Sequence, residues 1–381
     1  MKSVAIKIFI NLIFILFCNL SFAQNDNSIF YTNKEILPSD SNKLILKVTN
    51  VNFIKNNEYF NEIVDGYTYI GYFIQPRLEY HPSYNTKIEG GIHILKFSGK
   101  DELTQILPLF TFSYKPVKNV TLLFGSIYGT VNHQLIEPIY QFDRYYDKNI
   151  ENGIQLLFNN RYIQSDIWLN WEKFILKNDP FKEEFNVGGS VDLFLTNPLG
   201  KNRLYLPLQA IVAHKGGQIK DDDAPLQTIA NTATGIAFEH VFNQSFLYSI
   251  GTENYYCTYN DLSHVNQYKY EQGWGESSNL YINSKYFYLM LGYWYGEYFI
   301  APKGEPLFSS NSLKYNYYYD EYRNLVTGKF QIKKNITKGI ELALRFESYY
   351  EYAKNDFDFS YSMNLIFNRD FFLKNITYKT N

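Results

Sequence analysis

The sequence predicts an all-β protein: a transmembrane, antiparallel, up-and-down β-barrel of about sixteen strands, preceded by a cleavable signal peptide. Three observations predict it: a period-two alternation of apolar and polar residues along nearly the whole chain, connections that are short and long by turns, and an export leader. In residues 339–352, for example, Ile340, Leu342, Leu344 and Phe346 alternate with small or polar residues, so they share one face of a strand. A soluble sandwich shows the same alternation in one hairpin, and its recurrence behind a leader favours the barrel.

The N-terminus has the three parts of a secretory signal. Lys2 and Lys7 precede an apolar run over residues 8–20, and Ser21-Phe22-Ala23 provides a small-x-small cleavage site before Gln24. We therefore expect residues 1–23 to be removed. The alternative, a membrane anchor, is disfavoured because the apolar run is too short to span a bilayer comfortably.

Composition excludes several classes of protein. Without the leader, 34 basic residues stand against 38 acidic ones, and no basic stripe indicates a nucleic-acid partner. One cysteine, Cys257, remains after cleavage, which excludes an internal disulfide. Aromatic residues make up 19% of the chain while mean hydropathy is −0.31, a combination typical of strands that face lipid on one side and water on the other.

The chain divides into a leader (1–23), a periplasmic N-terminal segment (24–42), a barrel (43–368) and a periplasmic C-terminal tail (369–381) on this interpretation. The predicted strands are residues 43–53, 67–79, 86–97, 104–114, 120–132, 150–158, 161–173, 183–195, 202–214, 229–242, 245–259, 270–282, 285–299, 323–333, 338–352 and 356–367. Pro76, Pro108 and Pro207 fall inside strands, where each removes a ladder hydrogen bond, so we expect a bulge or a local break at each.

The connections alternate in length. Those after the even-numbered strands, such as residues 159–160 and 243–244, are short, whereas most of the others, such as 133–149 and 300–322, are long. Short periplasmic turns and long surface loops are characteristic of outer-membrane barrels. With about sixteen strands, both termini then lie on the periplasmic side.

The alternation also assigns the two faces of the wall. A charged side chain that faces lipid near mid-depth costs about 2–4 kcal/mol, so the charged positions of each strand are expected to face the lumen. The predicted pore-lining residues are Arg77, Glu79, Glu89, Asp166, Glu172, Glu184, Asp192, Arg203, Lys329, Glu341, Arg345 and Glu347. Acidic groups outnumber basic ones in this set, which predicts a mild preference for cations.

The connection 133–149 is unusually apolar for a surface loop. It combines several aromatic and aliphatic residues with charged ones, and the candidates for a constriction of the lumen are Glu137, Tyr140, Asp143 and Arg144. Such a loop would not be stable fully exposed to water. Two arrangements stay open: it folds into the barrel and narrows it, or it packs over the rim or against a partner.

Evidence for catalysis or for a bound cofactor is sparse. Asn132-His133 ends a predicted strand, but no serine stands beside it, and the remaining histidines are scattered. No cysteine–histidine set has the spacing of a zinc site, and the glycine pairs lack a strand–helix context for binding phosphate. We therefore expect no enzyme, no catalytic residues, no metal and no cofactor.

The leader ending in Ser-Phe-Ala-Gln and the abundance of Tyr, Asn, Lys and Ile resemble exported proteins of Bacteroidota, and the whole pattern resembles bacterial outer-membrane barrels of porin-like size. That resemblance is architectural and points to no named family. It implies a Gram-negative outer membrane, lipid contacts and, as the expected function, diffusion of small polar solutes. The alternatives are a non-conducting barrel that serves as a structural or assembly partner in an outer-membrane complex, and an outer-leaflet lipid hydrolase. Besides lipid and small polar solutes, the candidate partners are further copies of the chain or an envelope complex.

Overall fold

The computed structural model describes residues 27–32, 35–217, 225–244 and 246–376. They form one closed antiparallel sheet in which every strand pairs with its neighbours in sequence and the first pairs with the last. The predicted fold class and the number of strands are confirmed. The strands β1 to β16 are Lys43–Glu58, Tyr67–Ser83, Thr86–Phe97, Gln105–Val117, Val120–Ile127, Glu151–Asn159, Ile163–Lys173, Glu183–Phe194, Asn202–Gly216, Gln227–Val241, Leu247–Asp261, Gln272–Ser284, Phe287–Glu297, Tyr322–Thr337, Ile340–Glu351 and Asp356–Asn375.

Each strand separates an inner from an outer face, as the period of two requires. On β15, Ala343 and Arg345 are buried inside while Leu344 and Phe346 are exposed outside. The connections also alternate in length, and both ends of the sheet lie on the side of the short turns. Among the described residues, no helix is long and apolar enough to cross a membrane.

Most strand bounds differ from the expected ones by a few residues, and two of these differences change which residues belong to the barrel wall. β5 ends at Ile127 rather than at residue 132, because Gly125 adopts a φ of +94° and the chain then turns inward through a 3-10 helix, Thr130–His133. β16 continues to Asn375, so the barrel does not end at residue 368 and most of the predicted C-terminal tail is strand. The predicted signal peptide, residues 1–23, lies outside the described residues.

The prolines interrupt the ladder without shifting its register. Between β2 and β3 the pairing skips Gln75 and Pro76, and between β9 and β10 it skips Leu206 and Pro207, with the same register on both sides of each gap. Pro108 lies beyond the paired part of β4 and β5, which begins at Thr111. Each proline therefore marks a local break rather than a bulge, because its missing N–H removes only its own hydrogen bond.

The core lies inside the barrel, where three segments outside the strands fill the half nearer to the long loops. They are residues 27–32, the connection 128–150 and the connection 298–321. Phe30, 1% exposed, packs edge-on against Phe142 and Tyr145 at ring-centroid distances of 5.2 and 5.1 Å. The stretch expected to be a periplasmic segment is therefore packed in the lumen at Phe30 and Ile36, because these apolar side chains find dry partners there.

Candidate functional site

The inner wall carries all twelve side chains that the sequence assigned to it. Six of them, Glu79, Glu89, Asp166, Lys329, Arg345 and Glu347, are buried, and the other six, Arg77, Glu172, Glu184, Asp192, Arg203 and Glu341, are half-buried on the same inward-facing positions. They do not surround an open pore along the whole barrel. In the half nearer to the long loops they contact inserted segments, and only toward the short turns do they face open space.

Residues 128–150, the inserted loop, enter the lumen, and its charged groups pair with the wall. Asp143 accepts hydrogen bonds from Lys55 at 2.5 Å and from the hydroxyl of Tyr67 at 2.7 Å. Arg144 donates to Glu172 at 2.6 Å. Two further contacts join Glu137 to Lys329 and the hydroxyl of Tyr140 to the Glu151 carboxylate. All four constriction candidates thus lie within the barrel rather than over its rim.

A second connection, residues 298–321, packs against the inserted loop; together we call them the plug. The amide of Gln141 donates to the carbonyl of Lys303 at 2.8 Å, and that of Glu305 donates to the carbonyl of Glu137 at 2.8 Å. Burial, together with the nearby Asp143 carboxylate, raises the pKa of Glu305 to about 8. The raised pKa favours the neutral form of the Glu305 side chain, which limits the repulsion between neighbouring carboxyl groups.

His133 is fully buried between the inserted loop and the wall, and both of its ring nitrogens lie within hydrogen-bonding distance of a carboxylate. Nδ1 lies 2.7 Å from Asp166, Nε2 lies 3.1 Å from Glu151, and the ring stacks on Trp168 at 3.5 Å between centroids. Burial alone would lower the pKa of His133, but the Asp166 and Glu151 carboxylates outweigh it and raise that pKa to about 9. A doubly hydrogen-bonded imidazolium cannot accept a proton from a substrate, so His133 holds the plug to the wall.

Toward the short turns the lumen is open. Two adjoining cavities of about 730 and 630 Å³ share Asn159, Asn160, Arg161, Gln164 and Asp192. Charged side chains of both signs line them, namely Glu35, Lys115, Lys118, Asp166, Arg203 and Glu239 in addition to the shared pair. Among the described residues, no group of three or more His, Cys, Asp or Glu side chains could hold a metal ion.

The outer face carries a histidine–hydroxyl pair close to the long-loop end. His214 near the end of β9 and Thr228 near the start of β10 are directly opposite each other, with 2.8 Å between Nδ1 and Oγ1. The Thr228 amide donates to the Ser263 hydroxyl at 2.9 Å. The His214 ring packs on Phe185 at 4.8 Å, and Phe185 in turn stacks on Trp171 at 5.1 Å. A hydroxyl within hydrogen-bonding distance of an imidazole is the minimal arrangement for activating a nucleophile.

Several other hydroxyl groups on the strands have an amide rather than a histidine as their hydrogen-bond partner. Thr68 and Asn56 are hydrogen-bonded, and Asn56 also donates to Glu58 at 2.5 Å. Ser126 lies 3.0 Å from the Asn152 side-chain oxygen. Within the described part of the chain, His214 is the one histidine whose ring is hydrogen-bonded to a hydroxyl.

The sequence predicts the orientation of one residue of this pair but not of the other. The alternation that points Leu208 and Val212 outward also points His214 outward, because all three positions have the same parity. Thr228, however, was assigned to the connection, since β10 was expected to begin at residue 229. The pairing of β9 with β10 depends on how many residues the connection uses, and alternation does not fix that number.

The chain matches the model of one protein family, described as lipid A 3'-O-deacylase-type, over residues 36–376. A search of curated proteins finds no match. A loop-deletion mutant of OmpT, an outer membrane protein of Vibrio cholerae, is 10% identical with a TM-score of 0.50, covering 84% of this chain and 99% of its own. The outer membrane protein OprD from Pseudomonas aeruginosa is 10% identical with a TM-score of 0.48 (92% and 98%), and an anion-selective porin from Comamonas acidovorans is 9% identical with a TM-score of 0.49 (85% and 99%).

At these identities the likeness to solved structures shows the barrel fold alone. The matched family model is of a different kind, because it describes enzymes and covers nearly the whole chain. The expectation that this protein is not an enzyme is therefore wrong. No serine stands beside His133 in the sequence, and residues that meet only through the pairing of strands are not found by a search among neighbours in sequence.

Proposed function

The chain belongs to the lipid A 3'-O-deacylase-type family, and on that premise we propose that it hydrolyses acyl esters of lipid A in the outer leaflet, using His214 and Thr228. The observation that supports this site most directly is the 2.8 Å contact between His214 Nδ1 and Thr228 Oγ1 on the outer face of the barrel. A lipid substrate reaches this face by lateral diffusion without entering the closed part of the lumen.

The depth of the pair supports an outer-leaflet substrate under the proposed orientation. Both residues lie within two positions of the long connection that joins β9 to β10. We place the long loops outside the cell and both termini in the periplasm, because barrels of this type have short periplasmic turns. Trp171 and Phe185 then stand at the outer membrane–water interface, where aromatic side chains are favoured.

The proposed reaction is acyl transfer followed by hydrolysis. With the ring proton on Nε2, His214 Nδ1 accepts the Thr228 proton while Oγ1 attacks the ester carbonyl carbon. The tetrahedral intermediate collapses, the bond to the sugar oxygen breaks, and His214 returns the proton to that alkoxide. A water molecule, deprotonated by His214, then attacks the acyl-threonine and releases the fatty acid, so one water is consumed per ester.

The test is release of fatty acid from lipid A in mixed micelles, measured by mass spectrometry with the full-length protein. His214→Ala should lower the rate by about 10²–10⁴, the usual contribution of a positioned general base. Thr228→Val should abolish release because it removes the nucleophile, whereas Thr228→Ser retains a hydroxyl and should keep part of the rate.

The matched control is His240→Ala. That histidine also lies on the outer face, but at the short-turn end, where it is hydrogen-bonded to Asn202 at 2.6 Å. Its replacement should leave the rate unchanged. A folded wild-type barrel that releases no fatty acid would contradict the proposed function, and unchanged release by His214→Ala would contradict the assigned site.

A second candidate function is a closed channel for small polar solutes, with the mild cation preference expected from the wall. It is favoured by the open cavities, which extend along charged wall residues up to the plug. The wild-type protein should be silent in planar bilayers in this conformation, and deletion of residues 135–147 should produce discrete conductance steps. A folded deletion variant that stays silent would leave the assembly partner as the remaining non-catalytic role.

A further inference from the structure

The open half of the lumen contains a carboxylate without a counter-ion. Asp192 lines both cavities, and the structure gives it no hydrogen-bond or ion-pair partner among the described residues. Directly opposite it on the neighbouring strands stand Gln164 and Pro207, neither of which is a cation. Most other charged groups of these cavities are already paired. Arg203 donates to Glu239 at 2.8 Å, and Lys115 contacts Glu35 at 2.5 Å.

An aromatic pair lies next to this carboxylate. Phe194 follows Asp192 on the same inward face of β8, and its ring packs against Tyr205 of β9 at 5.1 Å between centroids. The Tyr205 hydroxyl donates to Glu253 at 2.6 Å, which fixes the orientation of the ring. A carboxylate beside aromatic faces is the usual arrangement for binding an organic ammonium group, because the charge is neutralised while the alkyl part stays dry.

A cation in the turn that borders the same wall is also without a carboxylate. Arg161, in the turn between β6 and β7, lines both cavities, and no ion pair joins it to a described residue. Its guanidinium stands over the Tyr162 ring at 5.6 Å. Guanidinium groups bind carboxylates and phosphates through paired hydrogen bonds, so this end suits an acidic group.

We propose that the cavity at the short-turn end binds a small zwitterion, with its ammonium group at Asp192 and its carboxylate or phosphate at Arg161. The two cavities, of about 730 and 630 Å³, are in the size range of small-molecule sites. The plug closes the cavity on the far side, so the ligand enters from the short-turn end. The site is separate from the His214–Thr228 pair, which lies on the other face of the wall and at the other end.

The test is calorimetric titration of the full-length protein in detergent with O-phosphoethanolamine. Ethanolamine and inorganic phosphate serve as single-charge probes, meaning that each carries charge of one sign only. The zwitterion should bind more tightly than either single-charge probe. Asp192→Asn should weaken its binding about tenfold, in line with the loss of one desolvated cation contact. Arg161→Gln should weaken binding of O-phosphoethanolamine and leave that of ethanolamine unchanged.

The control is Glu184→Gln. Glu184 lies on the same strand and face as Asp192, eight residues and about 26 Å nearer to the long loops, and is paired with Lys215 at 3.4 Å. Glu184→Gln should not affect binding, and neither should His214→Ala, which separates this proposal from the proposed hydrolase.

Dihexanoyl phosphatidylethanolamine distinguishes a lipid headgroup from a free solute as the ligand. Binding of this lipid but not of O-phosphoethanolamine indicates a headgroup, and binding of both compounds indicates a free solute. No binding of any zwitterion to the folded wild type, or unchanged binding by Asp192→Asn, would overturn the proposal.

Discussion

The two halves of the lumen use the same kind of charged wall in opposite ways. Near the long loops, the side chains of the Lys55–Asp143 pair are 4% and 2% exposed, because the plug covers them. Near the short turns, those of the Arg203–Glu239 pair are 33% and 18% exposed and border open cavity. Alternation along the strands is identical in both halves, so what differs is whether a connection enters the barrel.

This difference determines what each charge contributes. A covered ion pair has lost its water, so its partners depend on each other, and removal of one leaves the other buried and uncompensated. An ion pair at the cavity wall keeps water as an alternative partner and contributes little to stability. The covered half therefore holds the fold together, whereas the open half has side chains free to meet a ligand.

The largest expected effect is that of Lys55→Met. Lys55 contacts both Asp143 of the plug and Glu347 of the wall, at 2.5 and 3.5 Å. Its loss leaves two buried carboxylates without this cation, and we expect the free energy of unfolding to fall by about 3–5 kcal/mol. Denaturant titration of the barrel in lipid vesicles measures it, and a loss under 1 kcal/mol would mean that water reaches the plug.

The next effect is a dependence of stability on pH through His133. The pKa of His133 is about 9 in the fold against an ordinary value of 6.5. Because the pKa is raised, the contribution of His133 to the free energy of unfolding is fully present below about pH 6.5 and is lost as the pH rises through 9. The difference corresponds to roughly 3 kcal/mol in the free energy of unfolding. The same titration at pH 6 and pH 10 should show this loss, and His133→Gln should reduce it; an equal loss in both proteins would assign the pH dependence to other groups.

How much the sequence could predict follows the same division of the lumen. Alternation and loop length suffice for the strands, their number and the inward direction of residues such as Arg203 and Glu347, because each depends on neighbours in sequence. The position of Asp143 depends on whether the inserted loop enters the barrel. The composition of that loop was equally compatible with packing over the rim. The His214–Thr228 pair and the packing of Phe30 against Phe142 join segments distant in sequence, so their contacts depend on register and closure rather than on local pattern.

The smallest expected effect is that of Arg203→Met, which is the matched counterpart of Lys55→Met in the open half. Both substitutions remove an inward-facing cation from an ion pair and keep most of the side-chain length. Because Glu239 retains access to water in the cavity, we expect a loss of only about 0.2–1 kcal/mol in the free energy of unfolding. The two variants are compared in the same vesicles at the same salt concentration, and raising the salt should reduce the Arg203 effect further, since exposed charges are screened. A loss as large as that of Lys55→Met would show that the cavity is dry, and the contrast between the two halves would then disappear.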